Sequence, residues 1–212
     1  GNMHLIEVQR GCPYRCNFCA TPAIYGKPRM RSADAVLKMV ETGLKYRKRF
    51  GLIGAHILSH PEFDKIAEGI HAVGATFSPS SVRVNDISEK KAKLLARSGH
   101  RSLSLGIESG SEKLRDRLNK GVSDEQILDA VAILAKNGIT RIRLYFMIGL
   151  PNETDDDIQK IVELSSKVQS VIENSAEKKL RTTSTDITIS PFVPKPVTVF
   201  ENEPFAGEME LK

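Results

Sequence analysis

Arg10-Gly11-Cys12-Pro13-Tyr14-Arg15-Cys16-Asn17-Phe18-Cys19 is the stretch from which the rest of the chain is read. It holds all three cysteines of the 212 residues. An odd, tightly clustered set, with no export signal ahead of it, argues against a disulfide framework and for metal. Thiolates separated by three and then two residues in a tight loop can turn towards one soft centre. Three ligands fall short of the four that a structural zinc site takes. They suit a cubane cluster, in which three irons take Cys12, Cys16 and Cys19 and the fourth is left open to a small molecule. The competing readings are a non-enzymatic zinc module completed by a histidine and a simple electron carrier. Against zinc, none of His4, His56, His60, His71 and His100 stands at the usual short spacing from the cysteines.

Working outward, the preceding residues 4–9 predict a strand that runs into the cysteine loop, and Ser32–Arg49 predicts a helix capped by Ser32. Strands are expected at Gly51–Leu58, in the later half of residues 75–84, at Ser102–Ile107, Arg141–Ile148 and Asp186–Pro191. Helices are expected at Pro61–Val73, Glu89–Arg97, Ser111–Leu118 and Asp124–Asn137. The last opens with Ser123 and Gln126 in a capping-box arrangement. A further helix is capped by Thr154, with Asp155, Asp156 and Asp157 at the favourable end of its dipole.

Six strand–helix alternations with short connections imply parallel strands joined by right-handed crossovers. An open doubly wound sheet and a partial barrel both satisfy that pattern. Glu7, Ser81, Arg83, Ser104, Glu108 and Arg143 lie in or at the ends of strands, and polar side chains there suit an open lumen better than a sheet covered on both faces. The expected fold is therefore α/β, a partial (βα)6 TIM-like barrel. Residues 1–200 are read as one core domain and 201–212 as an irregular tail, the whole a piece of a longer protein.

Composition adds bounds. A hydrophobic fraction of 40% and a charged fraction of 27% are ordinary for a globular protein. No apolar run approaches the roughly 20 residues that cross a bilayer, so a cytoplasmic protein without membrane contact is expected. The net charge of +5 is mild; Lys45, Arg47, Lys48 and Arg49 are read as a solvated helix end, and nucleic acid is not indicated.

The cysteine spacing, with aromatic Phe18 immediately before the last cysteine, resembles the radical S-adenosylmethionine superfamily. Gly106-Ile107-Glu108-Ser109-Gly110-Ser111 and Tyr145–Thr154 agree with it. Ser81-Val82-Arg83-Val84-Asn85, the run Leu144–Pro151 and Ser190–Pro196 resemble members that carry an N-terminal cobalamin-binding domain. The likeness runs from about residue 4 to residue 200.

The resemblance implies a [4Fe–4S] cluster on Cys12, Cys16 and Cys19 and S-adenosyl-L-methionine as the ligand of its open iron. It implies an oxidoreductase or transferase in which a 5′-deoxyadenosyl radical abstracts hydrogen from substrate. It implies an electron donor such as flavodoxin or ferredoxin, and cobalamin only through a domain not in this chain. A radical methylthiotransferase acting on RNA or protein is the second enzyme reading; the extra cysteines it calls for are not in this sequence. For the cofactor, the resemblance assigns Phe18 to the neighbourhood of adenine and the backbone near Gly54 and Ala55 to the methionine amino group. The glutamate the family carries on that strand is replaced here by Ala55-His56. Ser81 and Arg83 are assigned to the ribose or the methionine carboxylate, and Glu108 to the ribose hydroxyls or amino group. Ile148, Gly149 and Leu150 form the adenine edge, and Arg143 is a further candidate. Tyr145, Phe146 and Met147 are read as core, and His56 and His60 as bordering the cofactor mouth at most.

Overall fold

The computed structural model describes residues 2–80, 82–176 and 182–207. Strand β1 (His4–Glu7) runs into the short β2 (Gln9–Arg10), and the cysteine loop leads to helix α1 (Thr21–Tyr25) and strand β3 (Arg29–Met30). Then follow α2 (Ala33–Gly43), β4 (Arg49–Ile53), α3 (Phe63–Ala72), β5 (Thr76–Pro79), α4 (Glu89–Arg97) and β6 (Ser102–Glu108). The remainder comprises α5 (Glu112–Arg117), α6 (Asp124–Lys136), β7 (Arg141–Ile148), α7 (Asp155–Ser175) and β8 (Ser184–Pro191).

Two parallel sheets carry the fold, β1-β4-β5 and β6-β7-β8, with β2 and β3 forming an antiparallel hairpin beside the first. Together the two sheets make the open, partial barrel that the polar strand residues predict. Alternation shows why. On β6, Leu103, Leu105 and Ile107 are buried whereas Ser102, Ser104 and Glu108 face the lumen side. On β7, Ile142, Leu144 and Phe146 are buried between exposed Arg141, Arg143 and Tyr145. The buried rows pack against the helices in one continuous core with Phe50, Phe63 and Phe77, each such side chain contributing about 1.5–3 kcal/mol by leaving water.

The helices start where their caps place them. Ser32 accepts from Ala35 N and Ser88 from Lys91 N. Ser123–Gln126 and Thr154–Asp157 each form a full capping box.

Three expectations are corrected. Helix α2 ends at Gly43, six residues early, because β1 and β4 press on its end: a Cβ at Gly43 would lie 2.7 Å from the Phe50 ring and 3.0 Å from His4. The basic run 45–49 is therefore turn and strand start. Strand β4 stops at Ile53, and residues 57–59 form a 3-10 turn that buries Ile57 and Leu58. Strand β5 occupies the earlier half of residues 75–84, where Phe77 reaches the core and pairs with Phe50 in register; Val84 begins a 3-10 turn instead. Sequence reading also missed α1 and the β2–β3 hairpin, which are too short to show periodicity. Among the described residues no helix is long and apolar enough to cross a membrane.

Candidate functional site

All six parallel strands run the same way, so the loops after them gather at one mouth, as in barrels generally. The cysteine loop leaves the first sheet there. Gly11 opens it at φ +82°, and a Cβ at that position would meet the Gly26 carbonyl at 3.2 Å and Pro28 Cα at 3.3 Å. Conformation and space both require glycine. Cys19 N donates to Cys16 O at 3.0 Å, closing a turn.

The far side of the fold ties the loop down. Asn17 N donates to Leu118 O at 2.9 Å, Asn17 Nδ2 to Arg117 O at 2.7 Å, and Asn119 Nδ2 to Arg15 O at 2.7 Å. The end of α5 thus holds the loop in place over a separation of about a hundred residues.

Cys12, Cys16 and Cys19 line a single cavity of about 430 Å³ together with Phe18, Ala55, Ser80, Arg83, Ser104, Gly106, Glu108, Lys120 and Tyr145. The three thiols are unbridged and half-buried. Burial pushes the Cys12 thiol up from its ordinary value, against a hydrogen bond from the Tyr14 backbone that lowers it. Among the described residues, no three Cys, His, Asp or Glu side chains close on a point that one metal ion could occupy. Three thiols on one cavity wall are the donor set that a cubane takes, one thiolate to each of three irons.

Arg83 enters from the segment after β5. Its guanidinium stacks 3.6 Å over the Tyr14 ring, with Nη2 donating to Lys120 O at 2.6 Å and Nη1 3.9 Å from Cys16 Sγ. Among the described residues its buried Nε has no hydrogen-bond partner. Glu108 does not pair with Arg83. Its carboxylate takes the Lys120 ammonium at 2.7 Å, with side chains 17% and 10% exposed. Two cations against one carboxylate leave the protein wall with a surplus of one positive charge, suited to the negative charge of three thiolates and a ligand carboxylate.

The sequence candidates distribute unequally. Phe18, Ala55, Arg83 and Glu108 lie on the cavity wall. Gly54 does not: its N–H and C=O are both engaged by the Ser80 hydroxyl, at 3.1 and 2.9 Å. Ser81 falls outside the described residues. Arg143 sits on the lumen face of β7 opposite Asp186, which it meets at 3.5 Å in an exposed pair, and does not line the cavity.

Ile148, Gly149 and Leu150 border a neighbouring cavity of about 810 Å³ with residues 151–155, Ile158 and 204–207. Glu153 braces that turn, accepting from Gly149 N at 2.6 Å and Leu150 N at 3.4 Å; burial raises its carboxyl above the usual range. Leu150 reaches back into an apolar cluster with Leu114, Leu118, Phe192 and Phe200, against which Phe18 also packs. His56 is buried beside the Tyr14 ring, and His60 binds the Arg31 carbonyl, so neither borders the mouth.

Sequence reading missed Tyr14, Ser80, Lys120 and Tyr145. Tyr145 was expected in the core, yet it is 40% exposed and lines the cavity; two-residue alternation from Arg143 would have placed it there. Lys120 and Tyr14 carry no local signal, because their partners are distant in sequence.

Comparison with known proteins agrees with this geometry. Residues 6–165 match the family described as the Radical SAM superfamily. An uncharacterized protein of Methanocaldococcus jannaschii is 33% identical over 97% of this chain and 44% of its own length. An uncharacterized methyltransferase of Pyrococcus horikoshii is 29% identical over 77% of this chain and 37% of its own length. The chain thus spans less than half the length of these curated relatives. The radical S-adenosylmethionine methyltransferase TsrM of Kitasatospora setae, solved with cobalamin and a [4Fe–4S] cluster bound, superposes with a TM-score of 0.70 at 19% identity, over 96% of this chain and 39% of that one. With the cysteine loop, the shared cavity and a family match over three-quarters of its length, the chain belongs to the radical SAM superfamily.

Proposed function

We propose that this chain is the catalytic core of a radical enzyme that binds a [4Fe–4S] cluster through Cys12, Cys16 and Cys19 and S-adenosylmethionine in the adjoining cavity. The observation that carries it is the convergence of the three thiols, Arg83 and the Glu108–Lys120 pair on one cavity at the mouth of the barrel. Cys12, Cys16 and Cys19 would hold the cluster and the adjoining cavity S-adenosylmethionine, and together these would supply one-electron radical chemistry for attack on a substrate hydrogen.

The chain's own residues bind and orient. Arg83 presents a planar donor fork beside Cys16, a match for a carboxylate. Glu108, held by Lys120, offers its second oxygen to ribose hydroxyls or an amino group. Gly106 has no side chain where the Glu108 carboxylate folds back, since a Cβ there would lie 2.8 Å from Glu108 Oε1. The Phe18–Leu150 cluster gives adenine an apolar wall, with Ile148 and Gly149 at its edge. Tyr145 faces the open side, where substrate enters.

Group transfer is favoured over net oxidation by the methyltransferase relative and the TsrM likeness. Cobalamin, if used, would come from a domain outside these residues. Anaerobic reconstitution with iron and sulfide, followed by dithionite and S-adenosylmethionine, tests the reading. A broad band near about 400 nm and release of 5′-deoxyadenosine are expected, both lost in Cys16→Ala. A colourless protein holding stoichiometric zinc, and releasing no nucleoside, would overturn the reading.

A further inference from the structure

Among the described residues, Arg83 is the cation whose side chain hydrogen-bonds a cysteine sulfur, with Nη1 3.9 Å from Cys16 Sγ. A guanidinium is planar, so holding it in one orientation takes an anchor in its plane and a surface against its face. The in-plane anchor is the Lys120 carbonyl, which accepts from Nη2 at 2.6 Å. Nε adds no second anchor among the described residues. One anchored nitrogen alone would let the fork swing away from Cys16.

The surface is Tyr14. Its ring centroid stands 3.6 Å from the guanidinium carbon, well inside the roughly 6 Å over which a ring face attracts a cation. The ring is fixed in its turn. His56, only 1% exposed, meets it with centroids 5.5 Å apart and planes at 80°, and His56 is held by the Ser59 hydroxyl and the Gln9 amide. A continuous set of contacts therefore runs from Gln9 on β2 through His56 and Tyr14 to Arg83, and ends on Cys16. Tyr14 itself lies between Cys12 and Cys16 in sequence. The loop that carries the sulfurs thus also carries the surface that turns a cation towards one of them.

We propose that Tyr14 is a positioning residue acting through Arg83: the face of its ring holds the guanidinium charge against Cys16, and so sets the reduction potential of the centre that the three cysteines hold. This rests on the cluster reading above. Reduction adds one electron from an external one-electron donor to that centre, with no bond made or broken. A cation fixed at a ligand sulfur favours the added negative charge, and groups that hydrogen-bond or charge the sulfurs tune such potentials.

The test is an anaerobic potentiometric titration of the reconstituted protein with dithionite, read from the cluster absorption band and from the paramagnetic signal of the reduced form. Tyr14→Phe keeps the ring face and should keep the wild-type potential. Replacing Tyr14 by a trifluorophenylalanine keeps the shape of the ring but drains the negative charge from its face. It should lower the reduction equilibrium constant on the order of tenfold, a fall of ~59 mV for one electron. Tyr14→Leu and Arg83→Met should fall in the same direction. The double variant Tyr14→Leu/Arg83→Met should fall no further than Arg83→Met alone, because the two residues act as one unit. Should Tyr14→Leu fail to hold a cluster, the fluorinated ring, which leaves packing intact, carries the test.

A wild-type potential in the fluorinated variant would overturn the proposal, as would additive falls in the double variant. A fall in Tyr14→Phe equal to that of the fluorinated ring would also overturn it, since the hydroxyl and not the ring face would then be what matters. A wild type that holds no reducible cluster would instead sink the cluster reading itself.

Discussion

Glu108 holds a backbone conformation that L side chains rarely adopt, φ +74°, at an irregularity in the β6–β7 register between Gly106 and Glu108. Such positions cost of order 1–3 kcal/mol and persist where the surroundings over-determine them. Here the twist turns the carboxylate back over Gly106 to meet Lys120. Lys120 is also the residue whose carbonyl anchors Arg83, so one residue positions both charged arms of the site, through its side chain and its backbone. Lys120→Met strands the Glu108 carboxylate in a mostly buried setting and should lower the unfolding free energy by about 1–3 kcal/mol in urea titration. Lys120→Met/Glu108→Gln should recover much of that loss. An equal loss in both variants would show that packing, not pairing, is what Lys120 supplies. The sequence marks Glu108 and Arg83 by their place at strand ends, whereas their true partners depend on where α5 lands, which no local pattern encodes.

Among the elements, those with strong local signals were legible. Helix α6 declares itself through Ser123, Gln126 and the buried stripe Ile127, Ala130, Val131, Leu134 and Ala135, and the structure returns the same cap and stripe. Ser123→Ala removes an N-cap acceptor and should cost about 1 kcal/mol in thermal or urea unfolding; no change would mean the Gln126 half of the box suffices. Strand boundaries were less legible because tertiary packing decides them. Residues 80–84 have the composition of a strand, yet Pro79 ends the ladder with β4 and Val84 packs on the core from a 3-10 turn. The hairpin that brings Arg10 against Arg29 is two residues long on each side, below the length at which alternation is visible.

At the scale of the molecule, the barrel class followed from polar residues in strands, and the structure shows why: one face of each sheet looks into an open lumen. Titration is also a whole-molecule property here. His56, His71 and His100 are each pushed below the ordinary imidazole value of 6.5, by burial first. The unfolded chain then binds more protons than the folded one below that value, so their contribution is whole above about pH 6.5 and is lost as pH falls through it. Buried Asp86 and Glu153, both raised, act in the opposite sense from the carboxylate range upward. His100→Asn, which keeps a donor for the Phe77 carbonyl but does not titrate, should therefore show a shallower loss of urea midpoint between pH 7 and pH 5. Parallel profiles for variant and wild type would refute the assignment. The two sheets, finally, share no strand pairing between β5 and β6 among the described residues, and the cysteine-lined cavity straddles that seam, drawing Ala55, Ser80 and Arg83 from one side and Ser104, Glu108 and Tyr145 from the other. Its occupant would act as a rivet, so that the chemistry and the mechanical closure of the barrel are set in the same place.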